Sequence, residues 1–256
     1  MELILLGHII GDFYVQTDKI AEKKKSSIKY MLIHCLMYTI VMEICFYILS
    51  RKIEGTLIIS IFVFLSHLSI DLLKNKCEKN ADKNADKNAY KVFLIDQAIH
   101  IMILLLCVYI VKQQFGFQMK NELLINGMRM NVRNCVVVAS AAFVCWKPAA
   151  IFVSLVFKII PETMDQANQT MKVKGSIENE GAKIGFWIGV LEREIILMLG
   201  LIGQFGAIGF VLTAKSLARF KQLENKSFAE KYLVGTLLSA LIAIGNIVIC
   251  KCYGVT

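Results

Sequence analysis

Proline is nearly absent from this chain, with two residues in 256, so nothing prevents long helices from running uninterrupted. A CxxC pair is missing as well. The eight cysteines (Cys35, Cys45, Cys77, Cys107, Cys135, Cys145, Cys250 and Cys252) are scattered, which argues against a zinc ribbon or a thioredoxin-like site and reads as free thiols filling space. The period-two alternation of a β-barrel does not occur either. The apolar stretch 1–16 has no basic start and no small-residue cleavage site, and it carries His8 and Asp12. It is therefore expected to be a retained membrane element rather than a secretory signal.

What is present is apolar bulk. Hydrophobic residues make up 56% of the chain and the mean hydropathy is +0.58, well above a water-soluble domain. Helices satisfy their own backbone polar groups in hydrocarbon, and 28–50, 56–73, 92–111, 135–160 and 233–250 are each long enough to cross a bilayer at about 1.5 Å per residue. The fold class expected is an all-α polytopic transmembrane bundle of about six to eight segments, counting the short N-terminal helix. The stretch 195–214 is ambiguous, since Gly200, Gly203, Gly206 and Gly209 recur at every third position. One span would place Lys215, Arg219, Lys221, Lys226 and Lys231 outside. A helical hairpin turning near Gly203 and Gln204 keeps them with the other basic loops, and the charge asymmetry favours it.

The net charge of +9 sits in those loops, so it is expected to mark the cytoplasmic side rather than a nucleic-acid surface. Lys19, Lys23, Lys24, Lys25 and Lys29 fall on the same side as Lys74, Lys76, Lys79, Lys83, Lys87 and Lys91. The expected placement is a bacterial inner membrane with the N-terminus outside. Two polar stretches, the Asn-Ala-Asp-Lys repeat in 80–89 and the segment 161–181, read as solvated loops. The expected division is a membrane half over 1–117 that carries the His/Asp motifs and a second over 118–256 with Glu-Arg and Lys-Ser motifs.

Three pairs of the same two residue types lie in three of these helices: His8 with Asp12, His67 with Asp71, and Asp96 with His100. Spacing of four puts each pair on one helix face. The first two helices run towards the predicted cytoplasm and the third runs away, and the order of His and Asp reverses in that helix alone. All three aspartates thus fall near one rim, with the histidines a turn deeper. His34 lies about one turn into its helix, and these are all four histidines of the chain. An ionisable group at the bilayer centre costs roughly 2.5–3.5 kcal/mol on insertion scales, so seven at one depth require partners. A divalent cation is one, with zinc first and iron or manganese as alternatives. A metal-free proton or ion relay and a purely structural hydrogen-bond network are the competing readings.

Gln16 and Gln97 flank the layer and are expected to support the carboxylates by hydrogen bonds. Lys74 is expected either to pair with a carboxylate or to snorkel to a headgroup. Glu43 has no evident partner. Glu192, Arg193 and Glu194 are expected to meet Lys215 and Arg219 as structural ion pairs if the hairpin forms. Trp146 and Lys147 before Pro148 mark a possible helix kink.

The stretches His8-Ile-Ile-Gly-Asp12-Phe-Tyr-Val-Gln16-Thr-Asp18-Lys19, then His34, then Ser66-His67-Leu-Ser-Ile-Asp71-Leu-Leu-Lys74, and Asp96-Gln97-Ala-Ile-His100 resemble, in order and spacing, bacterial membrane proteins of domain-of-unknown-function family 3307. Ile188-Gly-Val-Leu-Glu192-Arg193, Ala214-Lys215-Ser216 and Gly235-Thr236-Leu-Leu-Ser239 look like the C-terminal half often attached to that domain. The resemblance implies a multi-pass membrane protein and supplies no activity.

The function expected from the residues is a metal-dependent membrane hydrolase acting on a lipid-linked or membrane-delivered substrate. His8, Asp12, His34, His67, Asp71, Asp96 and His100 are the expected ligands, and Asp12, Asp71 or Asp96 is the expected base. The alternatives are a cation or proton transporter or channel, and a membrane sensor or effector that docks a cytoplasmic protein partner. The outer halves of the His-bearing helices are mostly Ile, Leu, Met and Phe, which suits a one-sided site better than a through-path. Beyond the lipid bilayer, no nucleic-acid partner is expected.

Overall fold

The computed structural model describes residues 1–80, 85–116, 122–125, 128–159 and 177–255. The expected loop segment 161–181 lies largely outside the described residues, as does the division expected at 117/118; of the stretch 80–89, also expected as a loop, Asn80 ends one helix and 85–89 begin the next. The chain divides into two compact units, Met1–Phe143 and Val144–Thr256.

The first unit begins with α1 (Glu2–Ile9), a π-helical turn (Ile10–Tyr14) and α2 (Asp18–Lys23), followed by α3 (Ile28–Ser50), α4 (Ile53–Asn80) and α5 (Ala85–Phe115). Two short strands, β1 (Glu122–Ile125) and β2 (Met128–Asn131), pair antiparallel and lead into α6 (Val132–Phe157), which crosses the boundary between the units. In the second unit come α7 (Ile177–Leu201), α8 (Phe205–Ala218), the single turn α9 (Phe220–Leu223) and α10 (Lys226–Cys252).

Five of these helices, over Ile28–Ser50, Ile53–Cys77, Asn88–Phe115, Val132–Phe157 and Lys226–Cys252, are long and apolar enough to cross a membrane, and the chain is a multi-pass membrane protein. The burial pattern agrees with hydrocarbon as solvent. Along α3, Met31, His34, Cys35, Tyr38, Met42, Cys45 and Phe46 are buried at helical spacing, while Leu36, Ile40 and Ile44 on the other face are exposed. In water that second face would be polar. The core beneath the site is formed by Ile4, Met42, Phe46, Val63, Leu104, Cys107 and Val111.

α1 lies hard against α3 because two glycines leave room for it. A Cβ on Gly7 would stand 2.6 Å from Cys45 Sγ, and one on Gly11 would stand 2.8 Å from the Tyr38 ring. Deeper along α3, Glu43 finds the partners its own sequence neighbourhood hides: the hydroxyls of Thr56 and Ser60 on α4 both donate to its carboxylate. All eight cysteines are free thiols, as expected.

The glycine-rich stretch forms the hairpin. α7 ends at Leu201, α8 starts at Phe205, and between them Gly203 takes φ +77°, a conformation that only glycine adopts without strain. The other three glycines do different work: Gly200 lets the Ile247 side chain of α10 come close, whereas Gly206 and Gly209 face open space. Pro148 lies inside α6, which continues through it.

Candidate functional site

Every residue expected in the polar layer is buried, with exposures between 1% (His34, His67) and 8% (Asp12), and the layer lies wholly within the first unit. α1 and its π-helical turn bring His8 and Asp12. α3 brings His34, α4 brings His67 and Asp71, and α5 brings Asp96 and His100. The π turn is closed by the Val15 amide on the Ile10 carbonyl at 3.0 Å. Such widened turns recur where a helix must aim a functional side chain, and here the widened turn holds Asp12.

The seven groups converge in two linked sets. The first centres on His34 Nε2, which faces His67 Nε2 at 3.1 Å, Asp12 Oδ1 at 3.4 Å and Asp71 Oδ2 at 3.6 Å. The second is Asp96 with His100, whose Nδ1 donates to the Asp96 backbone carbonyl at 2.9 Å and lies 3.7 Å from its carboxylate. His67 bridges the two, its ring 5.1 Å from that of His34 and 4.5 Å from that of His100. Three trios have ligand atoms within 4.8 Å of one another: Asp12, His34 and His67; Asp71, Asp96 and His100; and Cys35, His67 and Asp71.

Gln97 ties the sets together. Its amide nitrogen donates to Asp12 at 3.0 Å and to Asp96 at 3.2 Å, and its carbonyl oxygen faces His8 Nε2 at 3.1 Å. With both amide hydrogens directed at carboxylates, the oxygen must accept, so His8 carries its proton on Nε2. Its Nδ1 is then an acceptor for the Tyr38 hydroxyl at 3.0 Å. One chain of donors thus runs from Tyr38 through His8 and Gln97 to Asp12. The Tyr38 ring also stacks on His67, with centroids 3.9 Å apart.

Two lysines close the rim on the aspartate side. Lys24 donates to Asp71 at 3.1 Å and Lys74 to Asp96 at 2.7 Å. Lys74 is therefore a carboxylate partner, one of its two expected roles. The layer still keeps spare capacity, because His34 Nδ1, His67 Nδ1, His100 Nε2 and Asp96 Oδ1 are buried without a hydrogen-bond partner. A small cavity with room for about one water lies beside His67 and His100, lined in part by Ser66 and Tyr38. Gln16 Oε1 is likewise buried without a partner.

Sequence reasoning missed Lys24, Tyr38 and Cys35. Lys24 sits in a run of three lysines that look alike. Tyr38 follows His34 at spacing four, a signal that was available. Among the polar groups of the second unit, Glu192 pairs with Lys215 at 2.5 Å as expected. Arg193 instead donates to the Cys145 carbonyl at 2.5 Å, the Trp146 carbonyl at 3.4 Å and the Ser239 hydroxyl at 3.1 Å. Arg219 reaches Gln222 at 3.5 Å.

Residues 1–125 match the model of a family described as "Protein of unknown function (DUF3307)". The matched region contains all seven His and Asp residues with Lys24, Tyr38, Lys74 and Gln97, and it stops before the Glu192-Arg193 and Lys215-Ser216 stretches. No curated protein and no solved structure matches the chain.

Proposed function

We propose that the buried His/Asp layer holds a divalent cation and that the protein is a metal-dependent membrane hydrolase acting on a lipid-linked or membrane-delivered substrate. The observation that carries this reading is the convergence on His34 Nε2, with neighbours at 3.1, 3.4 and 3.6 Å. Nitrogen and oxygen ligands about 2.0–2.1 Å from one tetrahedral ion stand about 3.3 Å apart. His34 Nε2 carries at most one proton, which cannot serve His67, Asp12 and Asp71 at once, whereas a cation beside it would draw all of these acceptors. Imidazole with carboxylate suits zinc, with iron or manganese as alternatives.

Asp12, His34, His67 and Asp71 are the residues that would hold the ion. When bound, it supplies a water of lowered pKa and polarises the scissile group. The remaining groups are assigned to the chain itself. Gln97 fixes the Asp12 carboxylate and, through His8, the Tyr38 hydroxyl. Lys24 orients Asp71. Asp96, with one oxygen on Lys74 and the other unpartnered, is placed to accept a proton, and His100 beside it to pass that proton on.

Metal content of the full-length detergent-purified protein, measured by inductively coupled plasma mass spectrometry, tests the reading. About one equivalent per chain is expected, lost in a His34→Ala variant whose helical circular dichroism is unchanged. Absence of metal after incubation with zinc, iron and manganese in turn refutes it.

A second reading is favoured by one specific observation. Lys24 and Lys74 already place a positive charge on Asp71 and Asp96, so these carboxylates are compensated without a metal, as paired ionisable residues are along intramembrane proton pathways. Dissipation of a pH gradient by proteoliposomes, abolished in His67→Ala, distinguishes this reading from the first.

A further inference from the structure

The second unit contains a cavity of about 370 Å³, in the range of small-molecule sites. It is lined by residues of α6, α7, α8 and α10 with Arg219, all outside the region matched to the family. Its lining combines apolar Ala150, Val153, Phe157 and Ile188 with charged Glu192, Arg193, Lys215 and Arg219. Three cations against one carboxylate leave the lining formally at about +2.

The commitments of these groups decide what the cavity can hold. Arg193 spends Nε and one proton of each terminal nitrogen on two backbone carbonyls and Ser239. Lys215 is held by Glu192 Oε2 and by the Thr236 hydroxyl at 3.1 Å, above the Tyr232 ring. Arg219 makes one long bond to Gln222, and a guanidinium has five donors. Glu192, 5% exposed, keeps its second oxygen buried with no partner. An unused carboxylate acceptor and an underused guanidinium therefore line one cavity with apolar side chains.

We infer that this cavity binds the headgroup of a single phospholipid that carries both a phosphodiester and a hydrogen-bond donor, of the phosphoethanolamine or phosphoglycerol type. The phosphate lies on Arg219, the headgroup ammonium or hydroxyl donates to Glu192 Oε1, and the acyl chains lie along Phe157 and Ile188. Phosphocholine has the phosphate but no donor and leaves Glu192 unsatisfied, so the site discriminates between headgroups of similar size.

The two tryptophans of the chain, Trp146 and Trp187, both belong to this unit, with ring centroids 6.1 Å apart, and their fluorescence reports on binding. The full-length protein in detergent is titrated with dihexanoyl forms of phosphatidylethanolamine, phosphatidylglycerol and phosphatidylcholine, and with inorganic phosphate. The ethanolamine and glycerol lipids are expected to bind at least about tenfold more tightly than the choline lipid. A Cβ on Gly185 would meet nothing within 4 Å, so Gly185→Leu extends into the cavity without disturbing the fold and is expected to abolish binding. Arg219→Ala, at a partly exposed site, is expected to weaken binding by about tenfold. Equal affinity for the choline lipid, binding that survives Gly185→Leu, or inorganic phosphate binding as tightly as the lipids overturns the assignment.

Discussion

Replacing Gln97 by leucine removes one side chain of similar size and three hydrogen bonds at once. Asp96 keeps Lys74, so its loss is small. Asp12 Oδ2 loses an amide donor at 3.0 Å, and His8 Nε2 loses its acceptor at 3.1 Å. A hydrogen bond to a charged group contributes about 1.5–3 kcal/mol, and a neutral one about 1 kcal/mol. The expected destabilisation is therefore about 3 kcal/mol, or a fall of about 6–12 °C in the thermal midpoint at the sensitivity of chains of this length. Adding His8→Phe should cost less in the Gln97→Leu background than in the wild type, with a coupling of at least about 0.5 kcal/mol, because the two share a bond. Groups that orient metal ligands typically change metal affinity by about 10–100-fold when removed. Gln97→Leu should thus also weaken metal retention, measured by competition with a chelator. A midpoint within 2 °C of wild type together with unchanged metal retention would refute the reasoning, since Gln97 would then be neither a structural nor a positioning group.

Gly11→Ala should destabilise by about 1–3 kcal/mol by driving a methyl into the Tyr38 ring, while Gly206→Ala, which faces open space, should be neutral or slightly stabilising; thermal unfolding in detergent reads both. Glu43→Leu leaves the Thr56 and Ser60 hydroxyls without their carboxylate and is expected to cost about 3 kcal/mol, whereas Glu43→Gln should cost less than half of that in the same assay. Arg193→Met strands the Cys145 and Trp146 carbonyls near Pro148 and should cost about 3–5 kcal/mol. Pro148→Ala restores a backbone donor for the Val144 carbonyl one turn back and, by strengthening the helix there, should recover part of that loss in the double variant, measured by denaturant unfolding.

Much of the first unit was legible because membrane burial makes polar residues informative. In a soluble protein, six His and Asp residues paired at spacing four, with one further His, would be weak evidence. In hydrocarbon each is costly, so their coincidence in depth already implied contact, and the reversed order in Asp96 and His100 supplied the direction of the helix. The hairpin at Gly203 was legible for a related reason, since five cations had to lie on one side. What stayed hidden was pairing at long range. Nothing local in Glu43 points to Thr56 and Ser60, and nothing in Lys24 separates it from Lys23 and Lys25. Arg193 was expected to seek an acid. Backbone carbonyls of α6 took it instead, because in a dry interior exposed carbonyls compete with carboxylates for a guanidinium. The widened turn at Ile10–Tyr14 was also unforeseen, and it matters because spacing-of-four reasoning presumes a regular α-helix.

The placement of the two lysines bears on which functional reading survives. Lys24 and Lys74 come from opposite ends of the sequence motif, one from the loop after the first membrane element and one from the end of the second His/Asp helix, yet each takes one oxygen of a different aspartate. Asp12 alone receives no lysine and is met by neutral Gln97 and by His34. The uncompensated negative charge of the layer therefore falls on the carboxylate nearest the paired imidazoles of His34 and His67. A divalent ion placed there would be answered first by Asp12, so Lys74→Met should retain metal, Lys24→Met, which removes the group that orients Asp71, should only weaken its retention, and Asp12→Asn should lose it. Under a proton relay the ranking changes, because neutralising either lysine leaves a bare buried aspartate that must take up a proton. The two lysine variants would then impair proton transfer as severely as Asp12→Asn does. Metal retention and gradient dissipation measured on the same three variants thus separate the two functions by the order of their effects, even if all three variants lose stability.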